Sequence, residues 1–163
     1  MYDQENSSEI YRNFLSWLFQ TFNESELSFR TNLIEKLKLT GGNKVLVTGC
    51  GLGNDIPPIL NIIGSDGEVY ANDLAAQMVV SVSHHLMTHH PNSQSVFLSV
   101  CDAQILPFPS DFFDGAFHFG GINLFDNIKS AISEMERVVK PGGRVVFGDE
   151  GIAPWLRDTE YGN

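Results

Sequence analysis

Val45-Leu46-Val47-Thr48-Gly49-Cys50-Gly51-Leu52-Gly53-Asn54-Asp55 is an apolar run that passes without interruption into a G-x-G-x-G turn. A buried parallel strand that ends at glycines lets the backbone approach a ligand closely, because no Cβ stands in the way and positive φ costs nothing sterically. The residues after Gly53 then open a helix whose unpaired N–H groups face the same ligand. Together these features read as the start of a nucleotide-type cofactor site. A glycine triplet also serves ordinary turns, so the reading leans on what stands on either side of it.

Before this strand, residues 8–22 carry Ile10, Phe14, Leu15, Trp17, Leu18, Phe19 and Phe22 on a broad helical stripe, with Ser7 or Ser8 as cap. A second helical pattern spans 25–37 and is expected to stop at Gly41-Gly42. After it, strand and helix alternate: strand 44–48, helix 55–63, strand 68–72, helix 75–89, strand 95–100, a loop with Pro107 and Pro109, strand 114–119, helix 128–138 and strand 144–148. Pro57-Pro58 is tolerable in helix 55–63 only within the first turn. The order predicts an α/β fold, a doubly wound and mostly parallel sheet preceded by N-terminal helices. The chain divides into a helical cap at 1–40, a core at 41–150 and a tail at 151–163, all in one domain.

A length of 163 residues with 42% hydrophobic content suits one compact domain with a real core. The net charge of −10 argues against nucleic acid as a partner, since affinity for phosphate backbones comes from Lys and Arg. Cys50 and Cys101 lack metal-site or disulfide spacing, which fits reduced thiols and a cytoplasmic protein. The polar start shows no signal-peptide pattern, and no apolar run approaches a membrane span.

Three further segments accompany the glycine turn. Val69-Tyr70-Ala71-Asn72-Asp73 ends a strand in a carboxylate that would lie beside the turn, where it accepts hydrogen bonds from a ribose diol or else caps the next helix. Cys101-Asp102-Ala103-Gln104-Ile105-Leu106-Pro107-Phe108-Pro109 places another acid at a strand end before an apolar loop. That carboxylate suits an adenine amino group, or it starts an Asx-turn. In Glu134-Met135-Glu136-Arg137-Val138-Val139-Lys140-Pro141-Gly142-Gly143-Arg144-Val145-Val146-Phe147 a helix is stopped by Pro-Gly-Gly and returns at once into a strand.

In order and spacing these segments resemble the Rossmann-like, class I S-adenosylmethionine-dependent methyltransferases, in the small-molecule branch that includes the ubiquinone and menaquinone biosynthesis enzymes. The resemblance covers about residues 40 to 150. It implies S-adenosylmethionine as cofactor and methyl transfer to a small-molecule acceptor. It also implies that Gly49, Cys50, Gly51 and Gly53 line the cofactor, that Asp73 holds the ribose, and that Leu74 flanks the adenine. Asp102 and Ala103 would meet the adenine amino group and ring edge, with Phe119 and Gly120 beneath the methionine portion. Relatives often carry an acid where this chain has Val47-Thr48, so the polar anchor for the cofactor's amino group is either missing or supplied by Asp55. The family's last two strands have no room after Gly148. The fifth strand would then be an open edge, and a homodimer through Ile152, Trp155 and Leu156 would cover it.

No residue announces itself as a general base. His118 near the end of the fourth strand is a candidate, as is Asp149-Glu150; a packed core histidine and a solvated turn are the alternatives. Tyr11, Phe14, Trp17 and Phe19 form either a lid or one core-facing helix. His84-His85 and His89-His90 lack a matching Cys or carboxylate, so no metal is assigned. A nicotinamide-dependent oxidoreductase would leave the Asp102 loop unexplained, whereas a non-catalytic or truncated cofactor-binding domain acting with a partner would explain both Val47 and the short C-terminus.

Overall fold

The structure, a computed structural model, describes residues 7–89 and 95–149. Helices α1 (Ser7–Thr21) and α2 (Glu26–Ile34) lead through a 3-10 turn (Glu35–Leu37) into β1 (Lys44–Thr48). Next come α3 (Ile56–Ile63), β2 (Glu68–Asp73), α4 (Ala76–His89), β3 (Val96–Val100), β4 (Phe113–Phe119), a 3-10 turn (Ile122–Leu124), α5 (Ile128–Val138) and β5 (Val139–Gly148). The five strands pair in the order β3-β2-β1-β4-β5 and every pair is parallel. The chain therefore reverses its winding between β1 and β4, the switch point where such sheets open a crevice at the carboxyl ends of their strands.

Alternation along the strands sends side chains to two different cores. Val45, Val47, Val69, Ala71, Phe117 and Phe119 face one layer, where Leu15, Phe19, Ile34, Ile56, Ile59, Val82 and Leu86 of α1 to α4 cover them. Leu46, Ala116 and Phe113 face the other, under Met135 and Val138 of α5 and Leu106. Aromatic packing fills out that second layer. The Tyr70 ring stacks on Phe97 at 4.7 Å and meets Phe108, Phe112 and Phe113 edge-on.

The local rules are followed at most element ends and broken at three places. Ser25 caps α2, its side chain accepting from the Ser28 N–H, and Asn127 caps α5 through the Ser130 N–H. The first departure is at the end of α2, which tightens into the 3-10 turn and stops at Lys38, with φ 56° and ψ 41°, three residues before Gly41-Gly42. The second is that Pro-Gly-Gly does not stop α5. The helix ends at Val138, Val139 is already paired with Phe113, and residues 140–143 loop out before Arg144 pairs with Gly115. The turn is thus an irregularity inside β5, pinned where Lys140 Nζ donates to Asp114 Oδ1 at 2.6 Å.

The third is the apolar stripe of α1, which splits. Leu15 and Phe19 are buried and Tyr11 packs on the same core, while Ile10, Phe14, Trp17 and Phe22 face solvent. Glu150, Ile152, Trp155, Leu156 and His90 lie outside the described residues, as do the tail at 151–163 and the side chains of Ser7, Ser8 and His89. Among the described residues no strand pairs with the outer edge of β5.

Candidate functional site

The crevice is built from the carboxyl ends of β1, β2, β3 and β4. The glycine turn leaves β1 with Gly49 at φ 57° and Gly51 at φ 51°, left-handed conformations that a side chain would strain. Space enforces the same choice: a Cβ on Gly49 would stand 3.0 Å from Cε1 of His118, and one on Gly51 3.3 Å from Cε1 of Tyr11. The Cys50 N–H donates to the Asn72 carbonyl at 2.9 Å, and Gly53 N–H to the Cys50 carbonyl at 2.7 Å, which folds the turn back over β2.

Asp73 stands at the end of β2 and ties the turn down. Its Oδ2 accepts from the Gly51 N–H at 2.9 Å and its Oδ1 from the Ala75 N–H at 2.9 Å. Asp73 therefore faces the glycine turn and also anchors the entry to α4. An ionised carboxylate that accepts two N–H groups still has lone pairs for further donors. Leu74 beside it is 71% exposed, a large apolar side chain held in the open.

At the end of β3, Asp102 makes the Asx-turn, accepting from Gln104 N at 2.8 Å, and Ala103 is buried beside it. The loop after it is clamped from α5. Leu106 N donates to Glu134 Oε2 at 2.8 Å, while Arg137 donates to the carbonyls of Phe108 at 2.9 Å and Leu106 at 3.1 Å. Glu134 and Arg137 bond one another at 2.6 Å and 2.8 Å. Sequence reasoning passed over this pair. The signal was there in two opposite charges three positions apart on a helix face.

Phe119 and Gly120 close the crevice at β4, with Gly120 N bonded to the Gly148 carbonyl at 2.9 Å. Over the Phe119 ring, at 4.4 Å from its centroid, lies the guanidinium of Arg30. Arg30 is 3% exposed; its Nη1 donates to Asp55 Oδ1 at 2.8 Å and its Nε to Glu26 Oε1 at 2.7 Å. Glu26 also accepts from Asn54 Nδ2 at 2.7 Å. Burial, the largest single influence on Arg30, opposes its charge, but Asp55 and Glu26 together outweigh it and raise its pKa. Asp55, the candidate for the cofactor's amino group, is thus 3% exposed with its carboxylate engaged by Arg30. Nothing in the local sequence of α2 marks Arg30 as a buried cation.

Behind the turn runs a polar row, because Asn72, Thr48 and His118 are register partners on β2, β1 and β4. All three are buried, and Thr48 Oγ1 donates to Met135 Sδ at 3.4 Å. His118 Nδ1 lies 2.9 Å from the Thr48 carbonyl, to which it donates, leaving Nε2 as the unprotonated nitrogen. Among the described residues that Nε2 has no hydrogen-bond partner, and neither has Asn72 Oδ1. Burial pushes the His118 pKa below its ordinary 6.5, only partly opposed by the bond to Thr48 and by Asp149 and Asp73. The imidazole is neutral at pH 7, packed under Gly49 and against Phe125.

Asp149 accepts from the N–H groups of Gly121 and Asn123 and so holds the turn after β4. Among the described residues no group of His, Cys, Asp or Glu is arranged to hold a metal ion, and no helix is long and apolar enough to cross a membrane. A cleft of about 990 Å³ is lined by residues that include Arg12, Glu26, Leu52, Asn54, Ser81 and His85. Neither Asp73 nor Asp102 lines it.

Comparison with known proteins agrees with the fold. Residues 46–147 match the family described as "Methyltransferase domain". The chain is 32% identical over 128 residues to the ubiquinone/menaquinone biosynthesis C-methyltransferase UbiE of Coxiella burnetii, covering 74% of this chain and 49% of that protein. Its counterpart in Burkholderia mallei is 33% identical over 113 residues, 69% of this chain and 45% of that one. The chain spans about half the length of these relatives. Among solved structures, a putative S-adenosyl-L-methionine-dependent methyltransferase from Methanococcus maripaludis superposes over 96% of this chain and 68% of its own, with TM-score 0.74 at 18% identity. One from Aquifex aeolicus covers 81% of this chain and 73% of its own, with TM-score 0.66 at 22% identity. Strand order, glycine turn and family match coincide, and the chain belongs to the class I S-adenosylmethionine-dependent methyltransferases.

Proposed function

We propose that this chain binds S-adenosylmethionine across the ends of β1, β2, β3 and β4 and transfers its methyl group to a small-molecule acceptor. The observation that carries the reading is the Asp73 carboxylate bonded to the Gly51 N–H, which joins an acid with spare acceptor capacity to a turn that no Cβ could share. The residues fit the cofactor. Asp73 would accept the ribose hydroxyls, Leu74 would flank the adenine, and Asp102 and Ala103 would meet its amino edge. Gly49, Cys50, Gly51 and Gly53 would give the backbone wall, with Phe119 and Gly120 as the floor.

When bound, the group supplies a sulfonium-activated methyl that leaves by in-line displacement. The chain's own part is to orient and to exclude water, effects that supply much of the acceleration in such transfers. The acidic balance of the chain, −10 overall, favours a cationic ligand at long range. The bond from Nδ1 to the Thr48 carbonyl fixes the His118 ring beneath Gly49, where it supports the turn, and leaves Nε2 as its basic nitrogen.

A second reading keeps the cofactor and drops the turnover. Val47 is fully buried in the place of the family's acid and Asp55 is paired to Arg30, so a domain that binds without catalysis, or acts with a partner, has support of its own. The same proposal includes a cytoplasmic protein and a homodimer closed over the outer edge of β5; a monomer by light scattering at micromolar concentration would remove the dimer.

The test is isothermal titration of the full chain with S-adenosylmethionine and S-adenosylhomocysteine, with NAD as control, on the wild type and Asp73→Ala. Binding in the micromolar range, weakened about tenfold or more by the substitution through loss of charge-assisted bonds, is the expected result. Equal binding of NAD, or none of either methionine cofactor, would overturn it.

A further inference from the structure

Tyr11 joins the two sides of the crevice. Its Cε1 lies 3.3 Å from where a Cβ on Gly51 would stand, and its hydroxyl oxygen lies 3.1 Å from the same point on Gly120. One aromatic ring from α1 therefore spans from the glycine turn after β1 to the end of β4, across the switch point. It is anchored on the inner layer with Leu15 and Phe19, the next positions on the same helix face. The opposite face of α1, with Ile10 at 63% exposure and Trp17 at 60%, lies in solvent.

We infer that Tyr11 is a plug: its ring occupies the space over Gly51 and Gly120 that the amino-acid portion of the cofactor takes, so ring and cofactor exclude one another and α1 must withdraw before the cofactor enters. This rests on the cofactor reading above. Two glycines that leave room for a close ligand are here in contact with the chain itself. The apparent affinity is then the intrinsic affinity reduced by the fraction of molecules in which the ring has left. Removing the ring tightens binding, whereas a Tyr11 that touched the bound cofactor would weaken binding on its removal.

The experiment measures S-adenosylhomocysteine binding by calorimetry for the wild type, Tyr11→Ala, Tyr11→Phe and Trp17→Ala, with hydrogen exchange of residues 7–21 followed with and without the ligand. A plug predicts that Tyr11→Ala binds about fivefold or more tightly than wild type, as for a binding-competent state populated at one part in five or less. Tyr11→Phe keeps the ring and Trp17→Ala perturbs the outer face of the same helix, so both stay within about twofold of wild type by the same relation. Exchange in 7–21 rises on binding. Unchanged or weaker binding by Tyr11→Ala, or slower exchange in 7–21 with ligand, overturns the plug and leaves the cofactor reading standing. Should no variant bind, both fall together. If Trp17→Ala tightens binding as much as Tyr11→Ala does, the effect belongs to loosening of α1 as a whole, and the ring is not the plug.

Discussion

Arg30 Nη1 and Asp55 Oδ1 are 2.8 Å apart, with side chains 4% and 5% exposed, and they join α2 to the segment that leads from the glycine turn into α3. A buried pair of this kind is a weak source of net stability while intact, because both charges have lost their water. Losing one partner is different, since it strands the other charge in the core. Arg30→Met is therefore expected to destabilise the fold by about 3 to 5 kcal/mol, read from the urea midpoint. A loss below about 1 kcal/mol, the range of exposed pairs, would show that Asp55 is not dependent on it.

His118 gives stability a pH dependence of known sign. Its folded pKa lies below 6.5 because burial disfavours the imidazolium, so the unfolded chain binds the extra proton first. The contribution is complete above 6.5 and is lost as the pH falls from there through the folded value, at no more than about 1.4 kcal/mol per pH unit. His118→Gln, which keeps a donor for the Thr48 carbonyl, should flatten that limb in denaturation profiles between pH 5 and 7, taken as roughly the span in which histidine titrates. An unchanged slope would assign the loss to other groups.

The two thiols should separate by reactivity. Burial, reinforced by Asp73 and Asp55, drives the Cys50 pKa far above its ordinary value, and the side chain is 3% exposed. Cys101 is also raised by burial but remains partly accessible. Since the thiolate is the reacting form, a disulfide reagent is expected to modify Cys101 slowly in the folded protein and Cys50 only after unfolding. Equal rates for both would contradict the packing of the glycine turn.

Arg137 holds the loop after β3 by two carbonyls, and Glu134 by one amide. Arg137→Ala should speed hydrogen exchange in residues 104–108 while leaving β1 and β2 unaffected. If the loop also carries the adenine side of the cofactor, affinity for S-adenosylhomocysteine falls in the same variant. Unaltered exchange would mean that the proline-rich loop holds its own shape.

The parallel core was legible because its signals are local. Apolar strands ending at Gly49, Asp73 and Asp102 can be read one at a time, and β1 and α5 run where periodicity puts them. What escaped depends on partners far along the chain. Arg30 reads as a surface residue until Asp55, 25 positions on, is seen beside it. Lys38 takes the left-handed turn expected of Gly41-Gly42, since the 3-10 turn brings Leu37 into the core before the glycines arrive. Pro141-Gly142-Gly143 has the composition of a helix stop, but pairing of Val139 with Phe113 had already claimed the strand. Tyr11, Phe14, Trp17 and Phe19 make one aromatic stripe by periodicity. Which of them turns inward is decided by what it meets, Gly51 and Gly120 for Tyr11 and the ring of Phe29 for Phe19.

The imidazole of His118 underlies Gly49 so closely that the two positions share a single allotment of volume. Each sets the size permitted at the other, although 69 positions of sequence separate them. Enlarging residue 49 would lift the turn off β4, and shrinking residue 118 would let the turn sag toward α5. Drift at either position is therefore filtered by its neighbour, and the shape of the crevice is inherited through a pair whose imidazole lies buried behind the glycine turn.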